Sequence, residues 1–119
     1  MRSINPHTLE LIQEYPEMSI DEVNQIISSS YHCYEKWKNS EHVLRFELLQ
    51  NLSKALKENK TELAKLMQSE MGKKLNEGEA EIEKCALVCE YYAEHAEDFL
   101  RDKVIQTDAT KSFIRYSSK

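Results

Sequence analysis

Glycine and proline are nearly missing from these 119 residues, with two of each. Gly72 and Gly78 stand alone, too few for a glycine-rich loop in which backbone approaches a pyrophosphate. Dinucleotide binding of that kind is excluded for this chain. Nowhere does an uninterrupted apolar run approach the roughly 20 residues of a membrane span, and the start, Met1 to His7, lacks the apolar core and small-residue cleavage site of a secretory signal. A cytoplasmic protein with no membrane partner is expected. Three cysteines, Cys33, Cys85 and Cys89, make an odd number in such a chain, which argues for reduced thiols rather than a disulfide framework. A basic surplus is also lacking. Lys and Arg number 16 against 21 Asp and Glu, a net charge of -5, and the two signs are interleaved, so nucleic acid is not an expected partner.

What is present is helical periodicity. Ile4-Asn5-Pro6 forces extended backbone before a proline, and Leu9 to Tyr15 roughly alternates, so residues 1–16 read as a β-hairpin turning at His7-Thr8. Ser19 and Glu22 have capping-box spacing and predict a helix start at Ile20. Val23, Ile26, Ile27, Ser30, Tyr34 and Trp37 then share one face, a single stripe for burial. Ser40 is placed to cap a second helix carrying Leu44, Leu48, Leu49, Leu52, Ala55 and Leu56. Asn59 with Glu62 offers a third start, for a helix with Leu63, Leu66 and Met67 on one face that stops at Gly72. Asn76 with Glu79 offers a fourth, with Ile82, Cys85, Ala86, Cys89, Tyr92, Ala93 and Ala96 inward to about Leu100. Residues 111–116 read as a strand with no partner of its own. The fold class is mainly α with minor β: an N-terminal hairpin, about four amphipathic helices over 20–100, and a C-terminal strand.

The residue types that carry chemistry form no constellation. Cys85 and Cys89, four apart on one helix, offer two thiolates, but a structural zinc wants four ligands, and the bland expectation is a pair of buried, inert core thiols. Cys33 beside His32 has the types of a nucleophile and base, yet adjacent helical residues point apart. His7, His32, His42 and His95 lack ligand spacing and are expected in solvent. Glu79, Glu81, Glu83 and Glu90 are expected to form a wet acidic face, without the pocket a general acid needs. Tyr91, Tyr92 and Trp37 are expected as core or interface anchors rather than base-stacking platforms.

Several separated strings taken in order carry a resemblance. Ser3-Ile4-Asn5-Pro6 with Leu9-Glu10-Leu11-Ile12, Tyr34-Glu35-Lys36-Trp37, Arg45-Phe46-Glu47-Leu48-Leu49, Glu70-Met71-Gly72-Lys73, Glu83-Lys84-Cys85 and Tyr91-Tyr92-Ala93-Glu94 resemble the N-terminal region of NAD(P)-dependent aldehyde dehydrogenases. Cys89-Glu90-Tyr91-Tyr92 and the segment from Thr107 to Tyr116 most resemble the succinate-semialdehyde dehydrogenase branch. The resemblance covers essentially the whole chain, and it implies residues 1–119 as a single partial domain, an incomplete α/β fold.

It also implies that the family's nucleophilic Cys, general-base Glu, oxyanion-stabilising Asn and cofactor sheet lie beyond Lys119. No catalytic or cofactor-binding residue is therefore assigned here, no cofactor is expected on this chain alone, and NAD or NADP is expected for the complete enzyme. By family position, Ser3, Ile4 and Glu70 would help hold a structural monovalent cation, and Ala80, Lys84 and Val88 would lie along the substrate channel. Two departures stand out: Lys74 where many relatives have Pro, and Ser117-Ser118-Lys119 in place of a run of Pro, Leu and Gly. The second points to a truncated reading frame or an excised fragment. The expected partners are the remainder of a dehydrogenase or further copies of the chain, joined through incompletely covered faces bearing Leu48, Leu52, Leu66, Ile82, Val88 and Phe99. The other reading is a stand-alone helical interaction module.

Overall fold

A computed structural model describes residues 1–117, so Ser118 and Lys119 of the departing terminus lie outside the described residues. The N-terminal hairpin pairs β1 (Arg2–Ile4) with β2 (Leu11–Glu14), antiparallel, with an irregularity between Ser3 and Ile4. Asn5 organises its turn. The Asn5 side-chain oxygen accepts from the backbone N–H groups of His7 and Thr8, the local turn mimicry that favours Asn in such places.

Helix α1 (Ile20–Trp37) opens with the expected capping box: Ser19 Oγ accepts from the Glu22 N–H at 3.3 Å and Glu22 Oε2 accepts from the Ser19 N–H at 2.8 Å. The Ser19 N–H first, and then the Ser19 hydroxyl, which also donates to Glu22 Oε2, hold the Glu22 carboxyl below its ordinary range. The stripe on α1, however, is not buried. Ile26 and Ile27 are 50% and 62% exposed and the helix buries no residue, because among the described residues no other helix or strand packs along that face.

Helices α2 (His42–Glu58), α3 (Lys60–Met71) and α4 (Leu75–Leu100) form the packed part, with α2 and α3 lying on α4. Three expected caps are not formed. Ser40 Oγ instead donates to the Trp37 carbonyl and accepts from Arg45 Nε, finishing α1 while α2 starts after Glu41 without a side-chain cap. Asn59 Nδ2 donates back to the Ala55 carbonyl, so it closes α2 rather than opening α3. Helix α4 begins at Leu75 after Lys74, which leaves Asn76 inside the first turn. Lys74 sits at φ -66, a value proline also adopts, so the conformation at this position suits either residue. Gly72 ends α3 in the left-handed conformation, φ +70, as its sequence position predicts.

The core is narrow and made of small residues. Ala64, Ile82, Ala86 and Ala93 are buried, together with Ser53. Gly78 lies so close to α3 that an added Cβ would come within 3.1 Å of Ala64 Cβ. Polar ties flank this seam: Thr61 Oγ1 donates to Glu79, Lys60 pairs with Glu83 at 2.7 Å, and Lys73 pairs with Glu81. The inward assignment of Cys85, Cys89 and Tyr92 is corrected, since Cys85 is exposed, Cys89 half-buried and Tyr92 48% exposed. Apolar periodicity marks a face of α4, but α2 and α3 cover only the strip from Gly78 through Ile82 and Ala86 to Ala93.

The C-terminal strand is shorter than expected and has its own partner. β4 (Phe113–Ile114) pairs antiparallel with β3 (Lys103–Val104), and Arg115 grips Asp102 through two nitrogens, at 3.1–3.2 Å from Nε and 2.6 Å from Nη2. The strand at 103–104 was not expected.

These pieces leave an open shape. The radius of gyration is 20.7 Å, against about 13.5 Å for a compact domain of this length. The accessible surface is 10040 Å², whereas a compact monomer of this mass exposes roughly 6,700 Å². About half of Leu48, Leu52, Leu66, Val88 and Phe99 faces solvent; Ile82, expected among them, is instead the best-buried large side chain.

One contact gives the packed part a pH dependence. Ser53 Oγ and Lys57 Nζ both donate to Glu90 Oε1, at 2.9 and 2.5 Å, tying α2 to α4. The Lys57 bond first and the Ser53 bond second hold the Glu90 carboxyl below its ordinary range. A carboxyl lowered in the folded state contributes stability above its unfolded pKa and loses that contribution as pH falls through the folded one. Thermal melts should therefore drop on acidification through the carboxylate range, and Glu90→Gln should lessen that dependence, the Lys60–Glu83 pair keeping its own share, while leaving the melt at low pH nearly unchanged. An identical acid-side slope in both proteins would remove Glu90 from the account.

Candidate functional site

The candidates for catalysis stay apart. Cys33 is exposed on α1, and the ring of its neighbour His32 is engaged through Nδ1 with the Ser28 carbonyl at 2.8 Å, one turn back along its own helix. All four histidines are exposed, as expected. His95 is bonded through Nδ1 to the Tyr91 carbonyl and stacks on the Tyr91 ring at 4.4 Å between centroids. The glutamates of α4 are not simply a wet face: Glu79 and Glu83 reach across to α3, Glu90 to α2, and Glu81 to Lys73 in the link that follows α3. Lys60 holds the Glu83 carboxyl below its ordinary range and is itself raised by it, the signature of an ion pair that favours both charged forms. A carboxylate so stabilised is a poor general acid. Among the described residues no group of three or more His, Cys, Asp and Glu is placed to hold a metal.

A dinucleotide does not fit the glycines present. The Gly72 position faces Pro6, whose Cγ would lie 3.3 Å from an added Cβ, and Gly78 is closed by Ala64. Neither leaves room for a pyrophosphate against the backbone, and Glu77, Glu79 and Glu81 crowd the first turns of α4, where an anion would otherwise be favoured.

Two of the positions taken from the resemblance come together in space. Ser3 Oγ donates to Glu70 Oε1 at 2.8 Å across 67 residues of chain. With Ile4, Arg2, Tyr15 and Met71 they line an open depression of about 620 Å³ between the hairpin and the end of α3. The second set, Ala80, Lys84 and Val88, shares one stripe of α4 and lines a depression of about 740 Å³ together with Glu81, Cys85 and Cys89. Its wall is mostly apolar, with Val88 45% exposed. Cys85 and Cys89 were misplaced by the sequence reading, which assigned them to the core. The i, i+4, i+8 spacing of Ala80, Lys84 and Val88, flanked by Glu81, Cys85 and Cys89, is the signal that could have placed both thiols there.

Comparison with known proteins supplies what the geometry alone does not. Residues 1–118 match the aldehyde dehydrogenase family. A probable NADP(+) succinate-semialdehyde dehydrogenase of Synechocystis is 37% identical over 114 residues, which is 96% of this chain and 25% of that protein. Among solved structures, the succinic semialdehyde dehydrogenase of Streptococcus pyogenes in complex with NADP+ superposes with a TM-score of 0.87 at 26% identity, over 94% of this chain and 25% of that one. A glyceraldehyde-3-phosphate dehydrogenase of Methanocaldococcus jannaschii complexed with NADP superposes with a TM-score of 0.85 at 32% identity, over 95% and 25%. The chain thus spans about a quarter of the length of the relatives it matches.

Proposed function

The chain belongs to the aldehyde dehydrogenase family, and from that premise we propose that it is the N-terminal portion of a succinate-semialdehyde dehydrogenase-like oxidoreductase. The complete enzyme would oxidise a small aldehyde to its acid with NAD or NADP. The observation that carries this reading is physical as well as genealogical: a match along residues 1–118 on a chain that exposes roughly 3,300 Å² more than a compact monomer would. That excess is several times the roughly 800 Å² each partner gives to a standard interface. Surface of this kind is what a segment shaped to pack on a larger body leaves uncovered.

Within that body, Ala80, Lys84 and Val88 would border the path of the aldehyde, and Ser3, Ile4 and Glu70 would contribute to a monovalent cation site. The Ser3–Glu70 hydrogen bond supports the second assignment, since it puts a carboxylate beside the backbone of β1. The residues of this chain supply binding surface and support, and no step of the chemistry is routed through them. The chain by itself should be silent. Purified protein should give no heat with NAD or NADP in calorimetry and no reduction of either with succinate semialdehyde. Turnover above a control without protein would overturn the proposal.

Left uncovered, the apolar faces should drive copies together, seen as concentration-dependent sedimentation and binding of a hydrophobic dye. A monomer at high concentration with a sharp two-state melt would favour a stand-alone module instead.

A further inference from the structure

We propose that Cys85 and Cys89 form a two-coordinate binding site for a soft monovalent cation, Cu(I) being the representative. This rests on α4 alone and does not depend on the dehydrogenase reading. Both thiols line the same open depression, with Lys84 and the apolar walls of Ala80 and Val88. Cys85 is exposed and Cys89 half-buried, so neither is sequestered in the core.

Helix geometry selects the chemistry. Side chains four apart place their Cβ atoms about 5–6 Å from each other, whereas a disulfide wants about 3.8 Å, so the pair resists direct oxidation to an intrahelical bridge. A single ion with bonds of about 2.3 Å to each sulfur adds the reach that an S–S bond of about 2 Å lacks. Thiolates select soft ions, Cu(I) among them. Zinc, the other thiophilic candidate, needs four ligands, and among the described residues no cluster of even three His, Cys, Asp and Glu is available. Two ligands suffice for a linear d10 cation.

The balance is simple. Two thiols release two protons, Cu(I) gains two Cu–S bonds, and nothing is oxidised or reduced. The bis-thiolate complex carries one net negative charge. Lys84, which makes no ion pair among the described residues, lines the same depression and offsets it, while Ala80 and Val88 limit water. Cys33 lies on α1, outside that depression, and serves as an internal control.

The test is an anaerobic titration of the 119-residue chain with Cu(I) against a chromogenic Cu(I) chelator, with free thiols counted by a thiol reagent. Wild type and Cys33→Ser should each take one equivalent with the same affinity and lose two reactive thiols. Cys85→Ser and Cys89→Ser should weaken binding by about two orders of magnitude or more, and the affinity should rise with pH because binding releases protons. Cys89→Ala checks that the loss follows the missing sulfur, with circular dichroism confirming the helix in each variant. Unchanged affinity in either single variant, loss of the site in Cys33→Ser, equally tight 1:1 binding of Zn(II), or stoichiometry of one ion per two chains would each overturn the proposal.

Discussion

Gly78→Leu should cost the packed part about 3 kcal/mol or more and lower its thermal midpoint by roughly 10–20 °C, the largest destabilisation expected from any single change here. The reason is the approach of α4 to α3. A Cβ at residue 78 would sit 3.1 Å from Ala64 Cβ and 3.2 Å from Ala64 Cα, and the second of these is backbone that cannot swing aside. Alanine at the same position sets two effects against each other. It gains about 1 kcal/mol of helix propensity over glycine and pays a similar amount for a shift of a few tenths of an ångström, so Gly78→Ala should be close to neutral. Leucine has no such compensation: its whole side chain must go where Ala64 already is, and the polar ties of Thr61 to Glu79 and Lys60 to Glu83 would part with the helices. Circular dichroism melts of the three proteins check this. A Gly78→Leu midpoint within a few degrees of wild type would mean that α3 and α4 do not meet at this seam.

Signals confined to a few neighbouring residues were legible in the sequence. The Ser19–Glu22 capping box and the left-handed Gly72 both follow from local backbone needs, and both are present. Ser40 has a cap's chemistry too, but its hydroxyl is drawn to the Trp37 carbonyl and to Arg45, whose guanidinium also lies over the Trp37 ring. Asn59 links two helices so directly that its amide finds the end of the first before the start of the second. Such competition between equally placed partners is not encoded in spacing.

Burial was less legible still. The stripe on α1 is amphipathic in sequence and uncovered in space, since periodicity tells which face is apolar and not what covers it. The same gap put Cys85 and Cys89 in the core. At the candidate site, no periodic rule joins Ser3 to Glu70 across 67 residues; only the resemblance named them together. The strand at Lys103–Val104 carries a local signal of its own, a β-branched pair at Val104-Ile105 followed by a polar turn that returns the chain to Phe113.

If the chain is, as proposed, the N-terminal quarter of a dehydrogenase, its open faces should fit the remainder of such an enzyme. The direct test is a chimera in which it replaces the matching segment of the Synechocystis relative, which is 37% identical over 114 residues. This chain's Leu48, Leu52, Leu66 and Phe99, all about half exposed here, would then be among the side chains that meet the rest of the relative. Steady-state reduction of NADP by succinate semialdehyde is the measurement. The expected result is a soluble enzyme within about tenfold of the unmodified relative, a loss of no more than about 1.4 kcal/mol of transition-state stabilisation, that no longer binds hydrophobic dye. A chimera that is soluble and assembled like the relative, yet turns over no faster than a control without protein, would contradict the account.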